Sequence, residues 1–156
     1  MQPRTTIQDA VSSTIGAYAS FQIGSPLEHE DDGSIGSASL LLDGTYQTGT
    51  VNTVESDFYQ VVIQTGGLHT FETSGFNGAY CSYGLELNTN LQLFNAAGTA
   101  IGTGTDDIDA GVNNYCSRQS ATLVPGTYYV RITPGTFFTS GVPHQGRYRL
   151  EVRAGP

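Results

Sequence analysis

The acidic residues are the ones whose spacing could do chemistry. Glu28, Glu30 and Asp32 stand two positions apart in the run LEHEDDG. If that segment is extended, alternate side chains project to one side and the three carboxylates share a face. Glu55 and Asp57 repeat the spacing just ahead of an apolar run. Brought together, the two groups would make an all-oxygen cage of the kind calcium takes, with roughly six to eight ligands. Zinc fits less well, because every candidate ligand is a hard oxygen, His29 stands alone beside them and no CxxC is present. The competing reading is a solvated acidic loop next to an unrelated strand start. Asp106, Asp107 and Asp109 form a second candidate group for calcium, in a Gly/Thr-rich loop where the competing reading is three turn formers.

The two cysteines sit in matching contexts, Tyr80-Cys81-Ser82 and Tyr115-Cys116-Ser117. A disulfide between Cys81 and Cys116 is the simplest reading, and it implies an oxidising compartment; two unpaired thiols are the alternative. The histidines are His29, His69 and His144, in no metal-binding spacing. His69 falls inside a predicted strand and reads as a surface or half-buried residue. No GxSxG elbow or similar nucleophile signature occurs, so the chain does not read as an enzyme. Tyr80, Tyr83, Tyr115, Phe137 and Phe138 fall in predicted loops. There they serve either as anchors for a protein or polysaccharide ligand or as packing around the disulfide.

The elements that position these residues read as strands. The chain has 156 residues, 20 of them Gly, with 9 Tyr and 7 Phe, and only 13% are charged. Many turn formers, many aromatics and few charges favour an all-β fold. Apolar residues alternate in 58–64, 85–94, 127–133 and 146–153. The inward set is Tyr59, Val61, Ile63, Leu91, Leu93, Tyr128, Val130, Ile132, Tyr148, Leu150 and Val152. Turn signals separate the runs: Asp43-Gly44, read as a hairpin between 38–42 and 46–51, then Gly66-Gly67, Ala97-Gly98 and Pro125-Gly126. About eight or nine short strands of this kind predict an antiparallel β-sandwich.

Net charge is -8 and all six basic residues are Arg. Residues 1–109 hold 13 acids and one Arg, whereas 110–156 hold five Arg and one acid. An acidic surface of this kind repels a phosphate backbone, which excludes nucleic acid as a partner. No stretch approaches the ~20 apolar residues of a membrane span, and no signal peptide is visible at the start.

Several segments, in order, carry a resemblance. Residues 88–107, NTNLQLFNAAGTAIGTGTDD, run from a strand through a Gly turn and a short strand to paired acids. LVPGTYYVRI at 123–132, GRYRLEV at 146–152 and ESDFY at 55–59 accompany it. Together these cover residues 28–153, and the chain resembles the bacterial pre-peptidase C-terminal domain family. The resemblance implies a jelly-roll-like sandwich over 28–156, with 1–27 as an N-terminal segment of unassigned structure. In the resemblance, LVPGTYYVRI matches the family's penultimate hairpin. It implies a secreted parent, with a catalytic domain, usually a protease, in the same polypeptide. The domain would then be a non-catalytic accessory that aids folding, secretion or stability. Collagenase relatives imply an alternative, a binding module for collagen-like protein or polysaccharide. They also imply calcium at a Glu-x-Glu-x-Asn-Asp segment, where Glu28 and Glu30 match the glutamates. Asp32 stands where Asn is expected and Gly33 replaces an acid.

Overall fold

Alternation decides which side of each strand is buried, and in this chain it places the apolar side of two sheets face to face. A computed structural model describes residues 32–52, 55–82, 87–135 and 146–155. The N-terminal segment 1–27 and the approach through Glu28 and Glu30 lie outside the described residues. Within them run nine strands: β1 Ser39–Leu41, β2 Tyr46–Val51, β3 Asp57–Ile63, β4 Gly67–Gly75, β5 Thr89–Asn95, β6 Ala100–Thr105, β7 Arg118–Leu123, β8 Gly126–Pro134 and β9 Gly146–Ala154. One sheet has the order β1-β3-β8-β5-β6 and the other β2-β9-β4-β7. All strand pairs are antiparallel except β1 with β3. The fold class is the expected one, an all-β sandwich.

All eleven residues of the expected inward set are buried, joined by Leu41, Val51, Phe71, Leu87 and Leu123. In β3, β4, β8 and β9 burial alternates at period two, as one packed face and one wet face require.

Two expected hairpins are corrected. Asp43-Gly44 does make a tight turn, with Thr45 N–H donating to Leu42 O at 3.1 Å and Gly44 at φ 75°. Yet β1 pairs with β3 and β2 pairs with β9, so the turn carries the chain from one sheet to the other. Pro125-Gly126 does the same, because β7 pairs with β4 whereas β8 pairs with β3 and β5. A tight turn reverses the chain without deciding which layer the next strand joins. Ala97-Gly98, by contrast, joins β5 to its own neighbour β6, with Gly98 N–H and Asn95 O 2.9 Å apart.

The sheets are also tied by a polar contact inside the core. Tyr59 on β3 and Tyr148 on β9 are both fully buried, and their hydroxyls lie 2.6 Å apart. Tyr148 donates to Asp57 Oδ2 at 2.5 Å. A hydroxyl has one proton, so with Asp57 ionised it is Tyr59 that donates to Tyr148. The two rings meet edge to face, with centroids 6.5 Å apart. Room for this pair comes from Gly49 on β2, in register with Tyr148. A Cβ at position 49 would lie 2.5 Å from Tyr148 Cζ and 2.6 Å from Tyr59 Oη. Gly is unfavourable in a strand interior, so replacing it would normally help. Here crowding outweighs propensity: Gly49→Ala should destabilise the domain by about 1–3 kcal/mol. Urea unfolding measures this, and an unchanged or raised midpoint would refute the packing described.

Candidate functional site

Of the first acidic group only Asp32 falls among the described residues, and its backbone lies beside the start of β3. The backbone N–H of Phe58 donates to Asp32 O at 3.0 Å, which lays the chain at Asp32 beside the first residues of β3. Asp32 is 2% exposed and Asp57 3%. Their carboxylates accept from hydroxyl groups: the half-buried Ser39 Oγ donates to Asp32 Oδ2 at 2.9 Å, and the buried Tyr148 donates to Asp57 Oδ2. Glu55 is exposed and is hydrogen-bonded by the Asn52 side-chain amide. Glu28, Glu30 and His29 lie outside the described residues. Among the described residues, no group of three or more His, Cys, Asp or Glu is arranged to hold a metal ion.

In the second acidic group, Asp109 is a turn former. Its Oδ1 accepts from Gly111 N–H at 3.0 Å and caps the 3-10 turn Ala110–Val112. Burial, and then the neighbouring charge of Asp107, pushes the Asp106 carboxyl above the usual carboxylate range. Burial pushes Asp107 up as well.

His69 corrects the sequence reading, because it is buried at 2% exposure. It falls in phase with Phe71 and Thr73 on the inward face of β4. Its Nε2 lies 3.4 Å from Asp43 Oδ2, and its Nδ1 lies 3.2 Å from Gly67 O.

The loop aromatics divide. Tyr80 is exposed, whereas Tyr115 packs against the core and donates to Asn113 Oδ1 at 3.2 Å. Tyr83, Phe137 and Phe138 lie outside the described residues. Sequence reasoning missed a different aromatic group, on the outer face of the five-stranded sheet. The rings of Phe58 on β3 and Phe94 on β5 have centroids 6.2 Å apart. The Arg131 guanidinium lies 5.5 Å from the Phe94 centroid, and Tyr129 pairs in register with both Gln60 and Phe94. All four side chains are half-buried. The available signal was phase, since Phe58 and Phe94 each neighbour an inward residue and so must point outward. The outer face of the other sheet gathers four of the five described arginines, Arg118, Arg147, Arg149 and Arg153. There Arg147 lies 3.8 Å from the centre of the Phe76 ring and Arg149 3.8 Å from that of Tyr46. Arg118 and Arg153 on the same face both pair with Glu72.

With this geometry established, the chain can be set beside known proteins. No family model matches the chain. No curated protein matches it. The pre-peptidase C-terminal domain of a collagenase from Bacillus anthracis is similar over 74% of this chain and 93% of its own, at 14% identity and a TM-score of 0.50. CorA, a surface-associated copper-binding protein of Methylomicrobium album, is similar over 76% of this chain and 98% of its own, at 12% identity and a TM-score of 0.51. What they share with the chain is the fold.

The expected disulfide is present. Cys81 and Cys116 are bonded and buried, and they join the loop after β4 to the approach to β7 across a separation of 35 residues. Tyr115 N–H donates to Cys81 O at 2.9 Å. Beside the bridge lies a buried hydroxyl cluster that the sequence did not signal. Thr73 Oγ1 of β4 lies 2.6 Å from Thr89 Oγ1 of β5, and Ser117 N–H donates to Thr73 Oγ1 at 2.8 Å. Ser117 Oγ donates to Thr89 O. The bridge therefore holds a polar junction between the sheets. Replacing both cysteines by Ser should lower stability by roughly 3–4 kcal/mol on the chain-entropy account. Urea titration of the double variant measures it, and a loss below about 1 kcal/mol would contradict that account.

Proposed function

We propose that the chain is a non-catalytic accessory domain of an exported bacterial protein, of the pre-peptidase C-terminal kind. Its partner is a catalytic domain, a protease, in the same polypeptide, and its work is to aid folding, secretion or stability. The observation that carries this reading is the sandwich itself, similar over 93% of the length of a domain that belongs to a collagenase. The buried Cys81–Cys116 bridge supports an oxidising, extracellular setting. The described residues contain no helix long and apolar enough to cross a membrane. The test is secretion of the parent protein carrying Val130→Asp, which places an unpaired charge in the core. Secreted parent should fall severalfold. Unchanged yield and activity would reject the accessory role.

A second reading, a binding module for collagen-like protein or polysaccharide, is favoured by one observation. Phe58, Phe94, Tyr129 and Arg131 form an aromatic and cationic platform on an outer sheet face. Such side chains anchor extended ligands at low entropic cost. Co-sedimentation with insoluble collagen and with cellulose should then show binding that Phe94→Ala weakens about tenfold. Absence of any binding to either would leave the accessory role alone.

Calcium at Glu28, Glu30, Asp32, Glu55 and Asp57 belongs to the first reading. In its favour, the backbone at Asp32 lies beside the first residues of β3 and all five candidates offer hard oxygens. Bound there, calcium would neutralise the cluster and fasten the N-terminal approach to β3. Affinity should fall in the range of roughly 10⁻⁴–10⁻³ M usual for extracellular modules. Calcium should then raise the melting temperature relative to chelator, and Glu30→Gln should shrink the rise. Identical melts of wild type with calcium and with chelator would exclude this site.

A further inference from the structure

We propose that Asn88 and Asp106 form the centre of a second hard-cation site, suited to calcium, on the opposite side of β8 from Asp57. The proposal stands independently of the accessory reading.

Three buried oxygen atoms in this region have no hydrogen-bond partner: Asn88 Oδ1, Thr105 Oγ1 and Asp106 Oδ1. Asn88 is only 1% exposed, so its amide oxygen makes no contact with bulk solvent. The fold fixes all three. Asn88 precedes β5 and its carbonyl accepts from Gly135 N–H at 3.0 Å. Thr105 ends β6, in register with Leu91 of β5, and Asp106 follows it. Gly135 follows β8, which lies between β3 and β5.

Asn88 Oδ1 and Asp106 Oδ1 converge on one point. A Cβ at position 135 would lie 2.5 Å from Asp106 Oδ1, and Asn88 Oδ1 would be nearer still. Position 135 is therefore Gly by necessity, and the space beside it is walled by two acceptors. An amide oxygen and a carboxylate oxygen facing one space repel each other unless a positive or proton-donating partner lies between them. The chain has no Lys. The five Arg among the described residues are committed elsewhere: Arg118 and Arg153 to Glu72, Arg149 to Glu151 and Tyr46, Arg147 to Phe76, and Arg131 to Phe94. A divalent ion is the partner that fits. The donors are an amide carbonyl and a carboxylate, with the hydroxyl of Thr105 and the exposed carboxylate of Asp107 next along the chain. That oxygen set selects calcium over softer metals, with water completing the shell. Asn88→Asp would add a negative charge at the same point.

Calorimetric titration with calcium chloride, on the full chain, tests this with three variants. Asp106→Asn should weaken the binding component at least tenfold. Asn88→Asp should tighten it at least tenfold, a gain that misfolding cannot imitate. Glu30→Gln, in the acids ahead of β3, should leave it unchanged, which separates this site from the one proposed there. The proposal is overturned if wild type shows no binding at up to ~10 mM calcium, above the range used by extracellular modules. It is equally overturned if Asn88→Asp and Asp106→Asn both titrate as wild type does; water then bridges the two oxygens.

Discussion

A three-residue hydrogen-bond chain through the core, Tyr59 to Tyr148 to Asp57, sets how the two sheets meet. Apolar packing alone tolerates many relative placements of two sheets, because burial is non-directional. Hydrogen bonds between buried groups do not, since a misplaced partner leaves a polar atom unsatisfied at a cost of about 1–3 kcal/mol. Tyr59 belongs to one sheet and Tyr148 to the other, so their contact fixes one sheet against its partner. Gly49 is a consequence of it, because the two rings occupy the space a side chain there would need.

The same end of the sandwich carries a second inter-sheet polar junction. β3 and β5 begin there and β8 finishes there, as the pairs Asp57 with Ile132 and Thr89 with Pro134 show. Thr73 near the end of β4 meets Thr89 at the start of β5, beside the Cys81–Cys116 bridge. Asp32, Asp57, Asn88 and Asp106 cluster around these strand ends. Two inter-sheet networks and a covalent link make this end a rigid platform on which a cation or a partner could be held in fixed geometry. At the Tyr80 and Asp107 side chains the platform also reaches solvent.

The core was legible in the sequence because period-two alternation is a direct projection of a sheet with one buried face. Val61, Val130 and Leu150 could have no other placement once their strands were recognised. The disulfide was legible from two cysteines in matching contexts. Layer assignment was not, since Asp43-Gly44 and Pro125-Gly126 have the chemistry of any tight turn whichever sheet follows. His69 was misplaced because a polar residue in an inward phase was given its ordinary surface preference, although phase alone pointed inward. The Thr73, Thr89 and Ser117 cluster left no sequence signal, because its members come from three separate segments and are individually common residues. Of the five cation ligands expected around β3, only Asp32, Glu55 and Asp57 fall among the described residues, and the convergence of Asn88 with Asp106 depends on β8 ending beside both.

The central claim is that the Tyr59–Tyr148–Asp57 chain couples the sheets. A double-mutant cycle of Tyr59→Phe and Tyr148→Phe, followed by urea unfolding, tests it most directly. Phe keeps the ring and removes only the hydroxyl. Tyr148→Phe takes away both a donor to Asp57 and the acceptor for Tyr59, so it should cost about 1–3 kcal/mol and more than Tyr59→Phe. The two losses should be non-additive by at least about 0.5 kcal/mol. Single losses within about 0.5 kcal/mol of zero and strict additivity would contradict the account, leaving apolar packing alone to hold the sandwich together.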